Sequence, residues 1–139
     1  MIASMTTLLE LAVFLAKSRG VIDSEQVKSI VGMLAELPSL VASALEIDGE
    51  MTALAKHLSG FSDLLYLGRG SQLPIALEGA LKMKELAYIH AEGCAAGEMK
   101  HGINALLGSE MATVVCVPKN HLHEKMLSNI SEVKARGGE

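Results

Sequence analysis

Asp63-Leu64-Leu65-Tyr66-Leu67 is a short unbroken apolar run that ends in Gly68-Arg69-Gly70-Ser71-Gln72-Leu73-Pro74. A run of this kind closed by glycines reads as a buried parallel strand entering a loop. A strand covered on both faces has no reason to alternate polar and apolar residues. Pro74 suits the first turn of a following helix, where its missing N–H costs nothing. That helix is predicted from Ile75 to about His90, and Ala95 to Lys100 suggests another short one. Ala112-Thr113-Val114-Val115-Cys116-Val117 repeats the strand signature and is closed by Pro118. Asn120 then reads as the N-cap of a last helix with Leu122, Met126, Ile130 and Val133 on one face, ended by Gly137-Gly138. The order is β-α-(α)-β-α, an α/β arrangement with two strands. Two strands make a poor open parallel sheet, so the pattern reads as cut short at Glu139.

Upstream of Asp63 the texture is helical. Leu8, Leu11, Ala12 and Leu15 keep helical spacing and Gly20 stops them; Asp23 or Ser24 can cap a second helix bearing Val27, Ile30, Val31 and Leu34. Pro38 is expected to interrupt that helix. A third stretch, Ser39 to about Glu46, and a fourth after Asp48 with Met51, Leu54 and Leu58 complete the set. Each carries one apolar stripe, so each must pack on something.

Composition narrows the function. The 139 residues are 50% hydrophobic but 3% aromatic, so the core is built of Leu, Ala, Val, Ile and Met. Net charge is −4, which argues against a nucleic-acid binder: there is no basic stripe to neutralise phosphates and no set of stacking aromatics. No stretch approaches about 20 consecutive apolar residues, so no membrane span is expected. Cys94 and Cys116 form neither a disulfide framework nor a zinc spacing, and a soluble cytoplasmic protein is the default.

Few motifs carry chemistry. The Gly68-Arg69-Gly70 turn before a helix could present free N–H groups to an anion, or simply permit a tight strand-to-helix crossing. Glu78, Lys82 and Glu85 are spaced i, i+4 and i, i+3, so they share a helical face. They are either a solvated ion-pair face or a carboxylate beside an ammonium, able to move a proton and to stabilise charge on a substrate oxygen. Glu98 and His101 have the Glu-x-x-His spacing of di-iron bundles but no second copy, and His121 and His123 fall on different helix sides. No metal site is expected. His57 and His90 read as surface or helix-end histidines, and the methionines as core filler.

Leu67-Gly68-Arg69-Gly70, then Pro74-Ile75-Ala76-Leu77-Glu78-Gly79-Ala80-Leu81-Lys82 and Lys84-Glu85, closely resemble a known family. It is the sugar isomerase (SIS) portion of the isomerising glutamine–fructose-6-phosphate aminotransferases, the glucosamine-6-phosphate synthases. Tyr88-Ile89-His90-Ala91-Glu92, Ala95-Ala96-Gly97-Glu98-Met99-Lys100-His101-Gly102 and the tail from Ser128 to Gly138 keep the same register. The resemblance implies a flavodoxin-like three-layer sandwich, incomplete here. Residues 1–58 would be the helical segment linking two SIS subdomains, and 59–139 the first part of the second subdomain. It further implies amino-sugar biosynthesis from fructose 6-phosphate and glutamine-derived ammonia, with no metal or organic cofactor. Carried over residue by residue, Glu85 matches the base that moves a proton between C1 and C2. Lys82 matches the lysine assisting at the reacting oxygens. His101 matches the ring-opening histidine that reaches a neighbouring subunit's site, which implies a homodimer binding a sugar phosphate.

The sequence departs from the family at Ile103 and Ala112, where proline is usual, and at Cys94, where tyrosine is common. The glutaminase domain, the first subdomain's sugar-phosphate loop and the C-terminal lysine of the family have no counterpart here. The chain alone is therefore expected to be inactive and to expose apolar surface. The alternative is a non-catalytic SIS-type sugar-phosphate-binding or oligomerisation module.

Overall fold

The structure, a computed structural model, describes residues 2–139. It divides into two compact units, Met1–Ala53 and Leu54–Glu139.

The first unit is helical. Helix α1 spans Ile2–Ser18 and ends at Gly20, whose φ of 68° is the left-handed value that glycine adopts freely. Helix α2 spans Ser24–Leu45 and starts on a capping box: Asp23 accepts from the Gln26 backbone while the Gln26 side chain accepts from Asp23 N–H. Pro38 does not interrupt it, contrary to the sequence expectation. The proline lies on an exposed face, where water can satisfy the carbonyl that its missing N–H leaves free. The uninterrupted α2, 22 residues long with a most apolar window of mean hydropathy 1.3, has the length and composition of a membrane span, contrary to the sequence expectation of none. It also carries Glu25, Lys28 and Glu36, and a carboxylate at mid-helix is costly in hydrocarbon. Neither helix buries a single residue; Leu8 and Phe14 are both 66% exposed. An apolar groove of about 490 Å³ runs along α1 and α2 past Phe14, Val27, Ile30 and Leu34. Helix α3, Asp48–Leu58, leads into the second unit with acids in its first turn and Lys56 and His57 in its last, each sign suited to the helix dipole.

The second unit is a three-layer α/β sandwich. Its parallel sheet has three strands in the order β2-β1-β3: β1 Asp63–Gly68, β2 His90–Ala95 and β3 Met111–Val115. The apolar run read as a strand is the central one. Leu65 and Leu67 point to one face, where Met126 and Val133 of helix α5 (His123–Ala135) and Met99 cover them. Leu64 points to the other, with Ala80 of helix α4 (Leu73–Lys82), Ala91 and Ala112. Each of the three leucines is almost wholly buried, contributing about 1.5–3 kcal/mol. Helix α4 lies close against the sheet because Gly79 carries no side chain: a Cβ there would meet the Tyr66 ring at 2.7 Å. Gly68 is required more strictly, since a Cβ would stand 2.2 Å from the Gln72 carbonyl oxygen. The glycine turn is thus a tight crossing.

Three boundaries differ from the sequence expectation. The helix predicted to reach His90 is α-helical only to Lys82 and continues as a π turn to Ala87, and β2, not foreseen at all, occupies residues 90–95. The short helix predicted at 95–100 is a single 3-10 turn, Met99–His101. Helix α5 starts at His123; Asn120 makes a local turn instead, its Oδ1 accepting from Leu122 N–H at 2.8 Å. Beyond α5 the Glu139 carbonyl accepts from Thr113 N–H of β3.

Candidate functional site

Pro74 stands in the first turn of α4, and the apolar side of that helix turns Ala76 and Ala80 into the sheet. Glu78 and Lys82 follow on the outer side. The next residues, Met83–Ala87, form a π-helical turn closed by Tyr88 in the left-handed region at φ 56°. Met83 packs into the core cluster under α4 and its carbonyl accepts from Tyr88 N–H, which pins the wide turn from inside. A π turn is costly and recurs at functional sites. A bulky residue at positive φ is costlier still, and Tyr88 is 91% exposed, so no burial offsets it.

This turn carries Glu85. Lys82 Nζ hydrogen-bonds Glu85 Oε2 and lies 3.7 Å from Glu78 Oε1, so one ammonium is held between two carboxylates. All three remain partly open to solvent, with Lys82 46% and Glu85 49% exposed. The bond to Glu85, reinforced by the charges of Glu85 and Glu78, holds the Lys82 ammonium above its ordinary value. The arrangement can accept and return a proton at Glu85 while a fixed cation steadies negative charge beside it.

His101 is elsewhere. It closes the 3-10 turn after β2, anchored by the fully buried Met99, and its Nε2 lies 3.9 Å from Glu98 Oε2 with both side chains largely exposed. In a parallel β-α-β unit the helix runs back along the strands. Lys82 and Glu85 therefore sit beside the start of β2 and His101 beyond its end, about 17 Å apart or more along the sheet. Glu85 and Lys82 are brought together; His101 of the same chain is not brought to them. Ile103, at the usual proline position, begins a 3-10 turn and packs on the apolar cluster, fixing this loop by contact instead of ring rigidity. Cys94 also packs there, and burial pushes its thiol up, as it does that of Cys116. Ala112 is buried in β3.

Among the described residues no three His, Cys, Asp or Glu side chains converge as a metal site. His57 pairs with Glu139 and His90 with Asp63. Sequence reasoning missed Asn129, a 93% buried amide on the core side of α5 whose Nδ2 donates to the Ala96 carbonyl at 3.0 Å. Its signal was present: three residues after Met126 and four before Val133, it stands on the apolar face of that helix.

Residues 57–139 match the SIS domain family. The chain is 46% identical over 134 residues to a glutamine–fructose-6-phosphate aminotransferase (isomerizing) of Mesorhizobium japonicum, covering 96% of this chain and 22% of that protein. The protein of the same name from Photorhabdus laumondii is 49% identical over 134 residues, with the same coverage. The chain thus spans about a fifth of the length of these relatives. Among solved structures, the C-terminal domain of the glucosamine-fructose-6-phosphate aminotransferase of Francisella tularensis superposes with a TM-score of 0.88 at 40% identity, over 93% of this chain and 36% of that one.

Proposed function

Because this chain belongs to the SIS domain family, we propose that it is part of the isomerase portion of an amidotransferase that makes glucosamine 6-phosphate from fructose 6-phosphate and glutamine-derived ammonia. The observation that carries this is the Glu78–Lys82–Glu85 cluster, where the end of α4 passes into the π turn. Interconversion of a ketose and an aldose needs one group to carry a proton between neighbouring carbons and one to hold charge on the oxygens meanwhile. Glu85 is the proton carrier. Lys82, kept protonated by its two carboxylate neighbours, steadies the enediolate-like charge. His101 opens the sugar ring. Because Glu85 lies before the start of β2 and His101 beyond its end, a site using both draws them from two copies, which supports a homodimer. The names and identities of the relatives support the substrate class.

The chain by itself is read as inactive, and its compartment as the cytoplasm, where Cys94 and Cys116 stay reduced. The wide apolar exposure of α1 and α2 supports a further role for that unit in assembly. The test is a chimera in which this segment replaces the matching one in the Mesorhizobium japonicum relative. Isomerisation of fructose 6-phosphate that is retained in the chimera and lost with Glu85→Gln supports the reading. A folded chimera without turnover, or one indifferent to Glu85→Gln, defeats it.

A further inference from the structure

Among the described residues strand β2 is an edge of the sheet, paired with β1 on one side only. The ladder shows which of its backbone groups are spare. Ala96 N–H donates to the Gly68 carbonyl of β1 at 2.9 Å. In a parallel ladder every second residue turns both its N–H and its C=O to the same neighbour. Cys94, Glu92 and His90 therefore face β1, while Ala95, Gly93 and Ala91 present their backbone groups outward. An open row of this kind is a template for another strand.

The flank of the same edge is apolar. Leu73, Leu77 and Leu81 follow one another at i, i+4 along α4 and form one row. Leu77 lies directly over β2, since a Cβ on Gly93 would meet its Cδ2 at 2.8 Å. It is nevertheless 48% exposed, and Leu81 40%. The two features share a centre. Gly93 is the middle one of the outward-facing residues, and Leu77 above it is the middle one of the leucines. A surface symmetric about its own midpoint fits a copy of itself across a two-fold axis.

We propose that the β2 edge pairs antiparallel with the β2 edge of a second copy, with the two-fold axis through Gly93. Gly93 then faces its own copy, and Ala91 faces the partner's Ala95, so outward groups meet outward groups. Glu92 stands opposite the partner's Cys94, which keeps like charges apart. Leu77 meets its own copy at the axis, and Leu81 meets the partner's Leu73. Antiparallel pairing also sets the start of one β2 beside the end of the other. It thereby brings the turn that carries Glu85 toward the turn that carries the partner's His101, whereas one chain holds the two at opposite ends of the strand. The pairing rests on the two-copy reading of the proton-transfer site and supplies its interface.

In this register Glu92 and the partner's Cys94 form a non-hydrogen-bonded pair with Cα atoms about 4.5 Å apart, within reach of a disulfide. Glu92→Cys, oxidised with copper phenanthroline, should give a cross-linked dimer on a non-reducing gel, and peptide mapping should join position 92 to Cys94. Removing the native thiol as well, in Glu92→Cys/Cys94→Ser, should abolish that link, and so should adding Leu77→Glu to Glu92→Cys. Circular dichroism establishes that each variant is folded. In the unaltered chain, amide exchange followed by NMR should slow at Gly93 and Ala95 by about tenfold between dilute and concentrated samples. The pairing is overturned if folded Glu92→Cys makes no such link or joins positions 92 and 94 only within one chain. It is equally overturned if Gly93 and Ala95 exchange alike at every concentration, or if another protein's strand is what protects them. Turnover of the chimera is read separately: its absence with the link intact defeats the isomerase reading and leaves the interface standing.

Discussion

Asp63 and His90 face each other as the first paired residues of β1 and β2, with His90 Nδ1 2.8 Å from Asp63 Oδ1. A hydrogen bond from the Ser62 hydroxyl, then that from His90, hold the Asp63 carboxyl below its ordinary value of 3.8. A lowered carboxylate contributes stability above its unfolded value, which is lost as pH falls through the folded one. In melting curves taken downward from pH 5, wild type should lose stability below pH about 4 more steeply than Asp63→Asn. Parallel curves would show that the pair does not couple to folding.

Glu85→Gln keeps the shape of the side chain and removes the base. In the chimera it should lower isomerisation by about 10²–10⁴-fold, the usual worth of one acid–base group. Because Glu85 is half exposed, the melting temperature should barely move. A large stability loss alongside the rate loss would mean that Glu85 is structural.

Two Gly→Ala changes should act in opposite directions. At Gly68 the new Cβ collides with the Gln72 backbone, so urea denaturation should show a loss of about 3 kcal/mol. At Gly32, inside α2 with open space around it, the same change should stabilise by about 0.5–1 kcal/mol. Equal effects at the two positions would refute the close approach at the glycine turn.

Tyr88→Gly should relieve left-handed strain worth about 1–2 kcal/mol and lose almost no burial. A rise in the unfolding midpoint is the expected result. A fall would identify a packing role for the ring that its exposure does not suggest.

The isolated chain should associate, because α1 and α2 bury nothing while Leu8, Leu11 and Phe14 stand open. Sedimentation velocity over a concentration series should show growing species, reduced by Phe14→Glu. A monodisperse monomer at all concentrations contradicts this.

The central strand was legible because Leu64, Leu65 and Leu67 must be covered on two faces, and no other local structure suits so short a run. Strand β2 was not. His90-Ala91-Glu92-Gly93-Cys94-Ala95 has no β-branched residue and no apolar alternation, and it is extended because β1 offers it a ladder. The continuity of α2 was hidden for the opposite reason: local chemistry argued for a break at Pro38 that solvent exposure makes tolerable. Within the candidate site, spacing alone brought Lys82 to Glu78 and Glu85. That His101 lies at the far end of β2 from them is a property of chain reversal through α4, which no motif encodes. Asn129 shows the same limit, since a polar residue on an apolar helix face reveals its purpose only when its neighbours are known.

The separation of Glu85 from His101 has a genetic reading. If each site takes its base from one copy and its histidine from the other, two defective alleles can complement each other. A Glu85→Gln copy paired with a His101→Asn copy yields one site with both lesions and one with neither. Random mixing makes half the dimers hybrid, so co-expression in the chimera should return about a quarter of the native rate. If each copy is self-sufficient, the mixture stays inactive.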